Sequence, residues 1–165
     1  MLRRTALTAV ALATLTGCGF RLRGSVVAPQ YSLSVRGSVG GVARLLISRL
    51  RASGQSVWLA GDPQAPAHVD YVLLISQDTR QRVVQGSNVS GQVRELNLKI
   101  DFRWSLVDAN DVERLPPNTI LLEQDMSFNE TDVLGKAEEE NALFTSLQER
   151  AVQRIISQLA RVPKP

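Results

Sequence analysis

The sequence predicts an α+β fold in which two helices pack on one face of a mixed, mostly antiparallel sheet of four to five strands. Three observations favour this two-layer sandwich. Residues 96–106 alternate between large apolar and polar side chains, which is the pattern of a strand with one buried face. Residues 38–52 and residues 129–160 instead repeat their apolar side chains at helical spacing. Because both helices have an apolar stripe to bury, a sheet is expected beneath them.

The first half of the predicted domain is a strand, a helix and a second short strand. Residues 31–36 alternate between apolar and polar side chains and predict a strand. The helix is predicted over residues 38–52, and Gly54 suits the position just past its end. Residues 55–59 form a short extended piece, and a loop with two prolines follows at 61–67.

Two long strands are predicted in the middle of the chain. Residues 69–84 start apolar on both faces and then turn polar, which indicates a strand that begins buried and runs out towards solvent. A hairpin loop is expected at 85–92. The next strand has one face of large apolar side chains: Leu96, Leu98, Ile100, Phe102, Trp104 and Leu106. Both strands are longer than is usual in a globular sheet, so we expect an elongated hairpin that reaches beyond the core.

The last part of the chain predicts a strand and a long helix. A turn is expected at 108–111, and Pro116 and Pro117 are predicted to interrupt the chain, so that the strand covers residues 119–128. Helix-capping residues follow at 129–132. From there to residue 160 we predict one helix, with an apolar stripe at Leu143, Leu147, Ala151, Ile155 and Leu159. Residues 31–162 are thus predicted to form a single domain, with a tail at 163–165.

The N-terminus has the features of a secretory signal. Arg3 and Arg4 precede an apolar run at residues 7–15, which is too short to span a bilayer as a helix. The run ends in Leu15-Thr16-Gly17-Cys18, which resembles the bacterial lipobox and contains the single cysteine of the chain. This resemblance implies a signal peptide at 1–17, a diacylglycerol and an N-acyl chain on Cys18, and a lipidated tether at 18–30. Gly19 stands where an aspartate would favour inner-membrane retention, which implies the outer membrane, on its periplasmic side.

The charge of the chain gives no support for a nucleic-acid partner. The formal net charge of +3 includes Arg3 and Arg4, and residues 1–17 contain no acidic side chain. Without the signal peptide the protein is therefore close to neutral, at about 150 residues, the size of one typical domain.

Several stretches resemble the LptE family of lipopolysaccharide-assembly lipoproteins. They are residues 18–24 (CGFRLRG), the run at 128–140 (FNETDVLGKAEEE) and residues 154–159 (RIISQL). The resemblance implies two helices on a mixed sheet, no cofactor and no enzymatic activity. It also implies a subunit of the outer-membrane lipopolysaccharide translocon that plugs the lumen of the β-barrel LptD, assists the assembly of that barrel and binds lipopolysaccharide.

Three cations are candidates for lipopolysaccharide binding. Lys136 matches the basic residue of the family's Leu-x-Lys-x-x-Glu stretch, and exposed cations suit the phosphates of lipid A. Its alternative interpretation is a solvated helix lysine that pairs with Glu139 or Glu140. Arg80 and Arg82 share one face of a strand near the hairpin end, where a role as edge charges that prevent aggregation is the alternative.

The remaining motifs argue against catalysis. His68 is the single histidine, no nucleophile elbow is present, and the carboxylates have no metal-ligand spacing. Gly37, Gly40 and Gly41 precede a helix but form no phosphate-binding motif. The sequence leaves two alternatives open: a free-standing, periplasm-facing lipoprotein that binds a lipid or an envelope polymer in an apolar pocket, and an anchored hydrolase that would need chemistry at His68. Trp104 is predicted to be core, whereas the place of Trp58 is not predicted.

Overall fold

The computed structural model describes residues 30–128 and 133–164. The predicted signal peptide, Cys18, the tether up to residue 29, the capping residues at 129–132 and the terminal Pro165 lie outside this part. Their assignments therefore stay predictions.

The described elements follow the predicted order. They are β1 (Leu33–Gly37), α1 (Gly41–Ala52), β2 (Val57–Leu59), β3 (Tyr71–Ser87), β4 (Val93–Asp108), β5 (Glu113–Ser127) and α2 (Val133–Leu159). The structure confirms an α+β fold of two helices and a mixed sheet. Helix α1 begins three residues later than predicted, because the chain still follows β3 at Ser38, whose N–H donates to the carbonyl of Ile75 (2.9 Å).

The five strands lie in the order β2-β1-β3-β4-β5. Strand β1 pairs in parallel with β2 and with β3, whereas β3 with β4 and β4 with β5 pair antiparallel. The described strands thus form as many parallel as antiparallel pairs, whereas the prediction was a mostly antiparallel sheet. The parallel β1–β2 pair follows from the α1 crossover, since a chain that crosses over through a helix re-enters the sheet in the same direction.

The core lies between the sheet and the two helices. The six alternating side chains of β4, from Leu96 to Leu106, are all at most 1% exposed, which confirms the predicted face and the core position of Trp104. The helices cover them with two buried stripes: Val42, Ala43, Leu46, Ile47 and Leu50 of α1, and Phe144, Leu147, Ala151, Val152, Ile155 and Leu159 of α2.

The prediction that Pro116 and Pro117 interrupt the chain is wrong. Strand β5 continues through both prolines, and its register against β4 shifts between the Trp104–Asn118 and Leu106–Leu115 pairs. Proline cannot donate to a sheet ladder, but it is tolerated in edge strands and at bulges. Because β5 is the edge of the sheet and the prolines sit at its bulge, the strand survives there.

The fold is elongated, and α2 connects its two ends. Near its start, the Nζ of Lys136 lies 3.4 Å from the Oγ of Ser127, the last residue of β5. At its end, the carbonyl of Leu159 accepts a hydrogen bond from the hydroxyl of Tyr31 (3.0 Å). Burial raises the pKa of the Tyr31 hydroxyl, so this group remains a donor. Lys136 and Tyr31 therefore lie at opposite ends of the domain, about 35 Å apart at 1.5 Å per helical residue.

The long β3–β4 hairpin extends past the end of β1. Strand β1 pairs with β3 only from Tyr71 to Ile75, whereas β4 pairs with β3 as far as Ser87. Residues 79–85 of β3 are exposed, in agreement with the predicted strand that runs out to solvent. In the part of the chain that the structure describes, no helix combines the length and apolar character needed to cross a membrane.

Candidate functional site

A change of register in β3 decides which way the candidate arginines point. The pairing of β3 with β4 shifts after Ile75, where one extra residue is inserted. Beyond the shift, Arg80 pairs with Ile100 and Arg82 pairs with Leu98. Directly paired residues share a face of the sheet, and both apolar partners belong to the core. The bulge therefore turns Arg80 and Arg82 towards the helices, on the stretch of β3 that has lost β1 as a neighbour.

The two arginines cover aromatic rings at the rim of the core. The Cζ of Arg80 lies 5.0 Å from the ring centroid of Phe144, and that of Arg82 lies 5.5 Å from the ring of Phe128. Both distances are within the range of cation–π attraction. Arg82 also makes an ion pair with Glu140, with 3.4 Å between Nη1 and Oε2. Their guanidinium groups are thus held against the N-terminal half of α2.

Lys136 joins the same end of the domain. Its Nζ lies 2.7 Å from the Oε2 of Glu139, and its side chain is only 19% exposed. This is the i+3 pairing that the alternative interpretation expects. Glu139 and Glu140 are neighbours in the chain, and the second of them holds Arg82. The structure therefore gathers Arg82 and Lys136 around one pair of carboxylates where β5 ends and α2 begins.

The charges of this cluster are balanced except at Arg80. Arg82 and Lys136 each have a carboxylate within 4 Å, whereas Arg80 makes no ion pair within residues 30–128 and 133–164. An anionic ligand at this cluster would have to displace Glu139 and Glu140 from their cations, or bind next to Arg80. Both ion pairs are partly exposed, so their carboxylates can be reached from solvent.

A polar cleft of about 340 Å³ adjoins Arg80. Its lining includes Arg44 of α1, Gln148 of α2 and Asp78 of β3. The carboxylate of Asp78 accepts hydrogen bonds from the N–H groups of Val42 (3.3 Å) and Ala43 (2.8 Å). A side chain from the sheet therefore accepts hydrogen bonds from these amides of the first turn of α1. Gly40, which precedes them, lets the chain pass close to Asp78 and so has a structural role.

The other singled-out residues lie away from this cluster. His68 is exposed in the loop before β3, and Trp58 is half-buried in the short edge strand β2. Within the described residues, no three His, Cys, Asp or Glu side chains group closely enough to hold a metal ion.

Sequence reasoning named Glu139 or Glu140 as a partner of Lys136, but it did not find the partners of the two arginines. Nothing in the sequence connects Phe128, Phe144 or Glu140 with β3. The available signal was the point after Ile75 where β3 turns polar. That signal does not show whether even-numbered or odd-numbered residues face the helices, because one bulge exchanges the two sets.

The chain is similar to several solved lipoprotein structures. Lipoprotein B from Nitrosomonas europaea has 25% sequence identity and a TM-score of 0.65, with 86% of this chain and 90% of that chain covered. The rare lipoprotein B from Shewanella oneidensis has 23% identity and a TM-score of 0.58, covering 78% and 92%. A minor lipoprotein from Acinetobacter baumannii has 20% identity and a TM-score of 0.56, covering 81% and 93%. The last two structures, at less than 25% identity, show a shared fold and no more.

A search of curated proteins gave no match. In contrast, the family model LptE, described as lipopolysaccharide-assembly, matches residues 22–159. Since this match spans most of the sequence and nearly all of the described domain, the chain belongs to the LptE lipopolysaccharide-assembly family, a family of non-enzymatic lipoproteins without a cofactor.

Proposed function

We propose that this protein is an outer-membrane lipoprotein, anchored through an acylated Cys18, that occupies the lumen of the β-barrel LptD and assists its assembly. In this function it is a subunit of the lipopolysaccharide translocon, and Arg80, Arg82 and Lys136 contact lipopolysaccharide. The observation that carries the proposal is the family match over residues 22–159. The geometry of the domain supports it in three ways.

The first support is the distance between the two ends of the domain. The tether from Cys18 enters at Tyr31, whereas Lys136 and Arg82 lie at the other end, about 35 Å away along α2. The hydrocarbon core of a bilayer is about 30 Å thick. A domain anchored in the periplasmic leaflet can therefore reach through a membrane-spanning barrel and place these cations near its far side.

The second support is the polarity of the sheet face that the helices leave uncovered. Lys99 of β4 pairs with Glu123 of β5 (3.0 Å), and Arg103 pairs with Asp101 on the same strand (3.0 Å). A row of such pairs suits a water-facing position, and the lumen of a wide transmembrane barrel is polar. This face is appropriate for a plug and unsuited to contact with lipid chains.

The third support is the chemistry at the far end. A planar guanidinium group binds phosphate with two parallel hydrogen bonds, and Arg82 holds its present carboxylate through one nitrogen at 3.4 Å. Arg80 has an aromatic ring beneath it and an open cleft beside it. We therefore expect the phosphates of lipid A to bind these two guanidinium groups.

Isolation of the native protein tests the barrel partner. We expect LptD to co-purify with the acylated protein from detergent-solubilised outer membranes, and depletion of the protein to lower surface lipopolysaccharide. Recovery without any large β-barrel, or unchanged surface lipopolysaccharide after depletion, would contradict the proposal. Mass spectrometry of the same material tests the thioether-linked diacylglycerol and the N-acyl chain at Cys18.

Charge reversal tests the ligand site. Lys136→Asp places a carboxylate beside Glu139, and we expect lipopolysaccharide to bind about tenfold more weakly, the effect of losing one charged hydrogen bond. Arg36→Asp is the matched control, because Arg36 is exposed in β1 at a distance from this cluster. Equal affinities of the two variants would remove Lys136 from the site.

The alternative of a free-standing lipid-binding lipoprotein predicts a deep apolar pocket. The clefts beside Asp78, between α1 and α2, and along Arg150 to Arg161 are each lined in part by charged side chains. These clefts therefore do not favour a lipid-chain ligand over the barrel-plug function.

A further inference from the structure

The C-terminal part of α2 carries an unbalanced positive charge. No acidic residue occurs between Arg150 and the end of the chain. A shallow groove of about 420 Å³ runs along the helix, lined by Arg150, Gln153, Arg154, Ser157, Gln158 and Arg161. We call the three arginines of this groove the basic patch. All three are exposed, and none makes an ion pair within residues 30–128 and 133–164. The acid that precedes them, Glu149, is engaged by Arg49 of α1 at 3.3 Å.

Helix stability does not account for the basic patch. Cations favour a helix C-terminus, but that effect falls off within the last turn. Arg150 and Arg154 lie nine and five residues before Leu159, where α2 ends. The buried stripe of α2 lies on its other side, against the sheet and α1. The patch therefore contributes little to the fold, and its exposed guanidinium groups are accessible to an external anion.

The position of the patch indicates which surface it meets. The hydroxyl of Tyr31 donates to the carbonyl of Leu159, and the hydroxyl of Tyr71 donates to the carbonyl of Pro163 (2.7 Å). These bonds fix the end of α2 beside the point where the domain begins. Position 30 is twelve residues after Cys18, and a stretch of that length reaches at most about 40 Å when fully extended. A membrane that holds Cys18 thus lies within reach of the same end of the domain as the patch.

We propose that Arg150, Arg154 and Arg161 bind the phosphate groups of anionic phospholipids in the leaflet that holds the Cys18 anchor. This inference rests on the proposed anchor. Guanidinium groups suit phosphate diesters, and a basic cluster near an acylated residue supplies a second membrane signal beside the acyl chains. The patch would also orient the domain, because it holds the C-terminal end of α2 at the membrane surface and leaves Arg82 and Lys136 at the distal end.

Vesicle binding without the anchor tests the patch directly. The mature chain, residues 18–165, is prepared with Cys18→Ser so that no acyl chain contributes, and circular dichroism checks its fold. We expect it to sediment with phosphatidylcholine vesicles that contain phosphatidylglycerol, and not with phosphatidylcholine alone. Each arginine is expected to raise the partition coefficient about fivefold, so Arg150→Gln/Arg154→Gln/Arg161→Gln should lower it about a hundredfold.

A second triple variant controls for net charge. Arg36→Gln/Arg94→Gln/Arg103→Gln removes the same charge from exposed positions on strands, and it should bind like the parent chain. Equal losses in the two triple variants, or no binding of the parent chain to anionic vesicles, would overturn the proposal. Unchanged vesicle binding of the patch variant, together with loss of barrel co-purification, would also overturn it by assigning the patch to a protein partner.

The anchor is tested separately, by mass spectrometry of Cys18 in native material. An unmodified Cys18 combined with patch-dependent vesicle binding would refute the anchor and leave the headgroup site standing. Acylated Cys18 with no patch-dependent binding would refute the headgroup site and leave the proposed function standing.

Discussion

Removal of the Asp78 carboxylate from β3 should destabilise the domain, because this carboxylate caps helix α1. Helix α1 has Gly40 at its N-cap position, with no side chain of its own to accept hydrogen bonds from the first turn. Asp78 of β3 supplies that acceptor to Val42 and Ala43. The same contact joins α1 to the stretch of β3 just beyond the bulge.

The magnitude follows from the two terms that Asp78→Ala removes. Loss of an N-cap acceptor costs about 0.5–2 kcal/mol, and loss of a negative charge at a helix N-terminus costs about 0.3–1 kcal/mol. We therefore expect Asp78→Ala to lower the free energy of unfolding by about 2 kcal/mol. Asp78→Asn retains an acceptor oxygen and loses the charge, so its cost should be closer to about 0.5–1 kcal/mol.

Urea denaturation of the mature Cys18→Ser chain measures both effects, with a constant m-value as the sign that compactness is unchanged. Asp62→Ala is the matched control, because the Asp62 carboxylate accepts from the N–H of Gln64 (3.0 Å) in an exposed loop. This control should change stability by less than about 0.5 kcal/mol. If Asp78→Ala cost no more than Asp62→Ala, the first turn of α1 would not depend on this carboxylate, and the capping argument would be refuted.

Further predictions concern the same scaffold. Gly40→Ala would put a Cβ 2.6 Å from a backbone oxygen of β3 and should lower the free energy of unfolding by about 1–3 kcal/mol. The Cβ of Gly41→Ala meets only the end of a flexible glutamine of α2, so this variant should be tolerated. Thermal unfolding of the two variants distinguishes them. Tyr31→Phe removes one of the two hydrogen bonds that the carbonyl of Leu159 accepts, the other coming from the N–H of Val162 (3.1 Å), and should lower the free energy of unfolding by about 0.5–1.5 kcal/mol; a loss below the error of urea denaturation would contradict this. The pKa of Asp108 is lowered, chiefly by a hydrogen bond from a backbone N–H in the turn after β4. The contribution of Asp108 to the free energy of unfolding should be complete above the ordinary pKa of 3.8 and lost as the pH falls through the lowered pKa. Asp108→Asn should therefore make the free energy of unfolding fall less steeply below about pH 4. An unchanged pH dependence would contradict the lowered pKa of Asp108.

Periodicity predicted most of the elements, because side-chain alternation and helical spacing are local properties of the chain. The six side chains of β4 are buried as the pattern predicted, and so are Leu147, Ala151, Ile155 and Leu159 of the predicted α2 stripe. Leu143 is only partly buried, and Phe144 is buried beside it. The predicted interruption at Pro116 was wrong because a strand can contain a proline if it lies at the edge of the sheet. Whether a strand lies at the edge depends on which strands pair, and the residues next to the proline do not show this.

The candidate site was predicted less completely than the fold. Arg80, Arg82 and Lys136 were named from the sequence, but their mutual position was not. One inserted residue after Ile75 turns both arginines onto the helix side, and only then can Arg82 reach Glu140. A single-residue slip reverses the faces of a strand without altering its composition, so this contact has no counterpart in the sequence pattern.

The sequence by itself determined the α+β class and the order of the elements, and it predicts the anchor at Cys18, since each depends on residues that are close together in the chain. The tertiary structure decided that β5 is an edge, that Asp78 caps α1, and that the basic patch lies at the end where the tether enters. Each of these depends on pairing between residues far apart in the chain. Local patterns restrict such pairings, and the packing of the whole core selects among them.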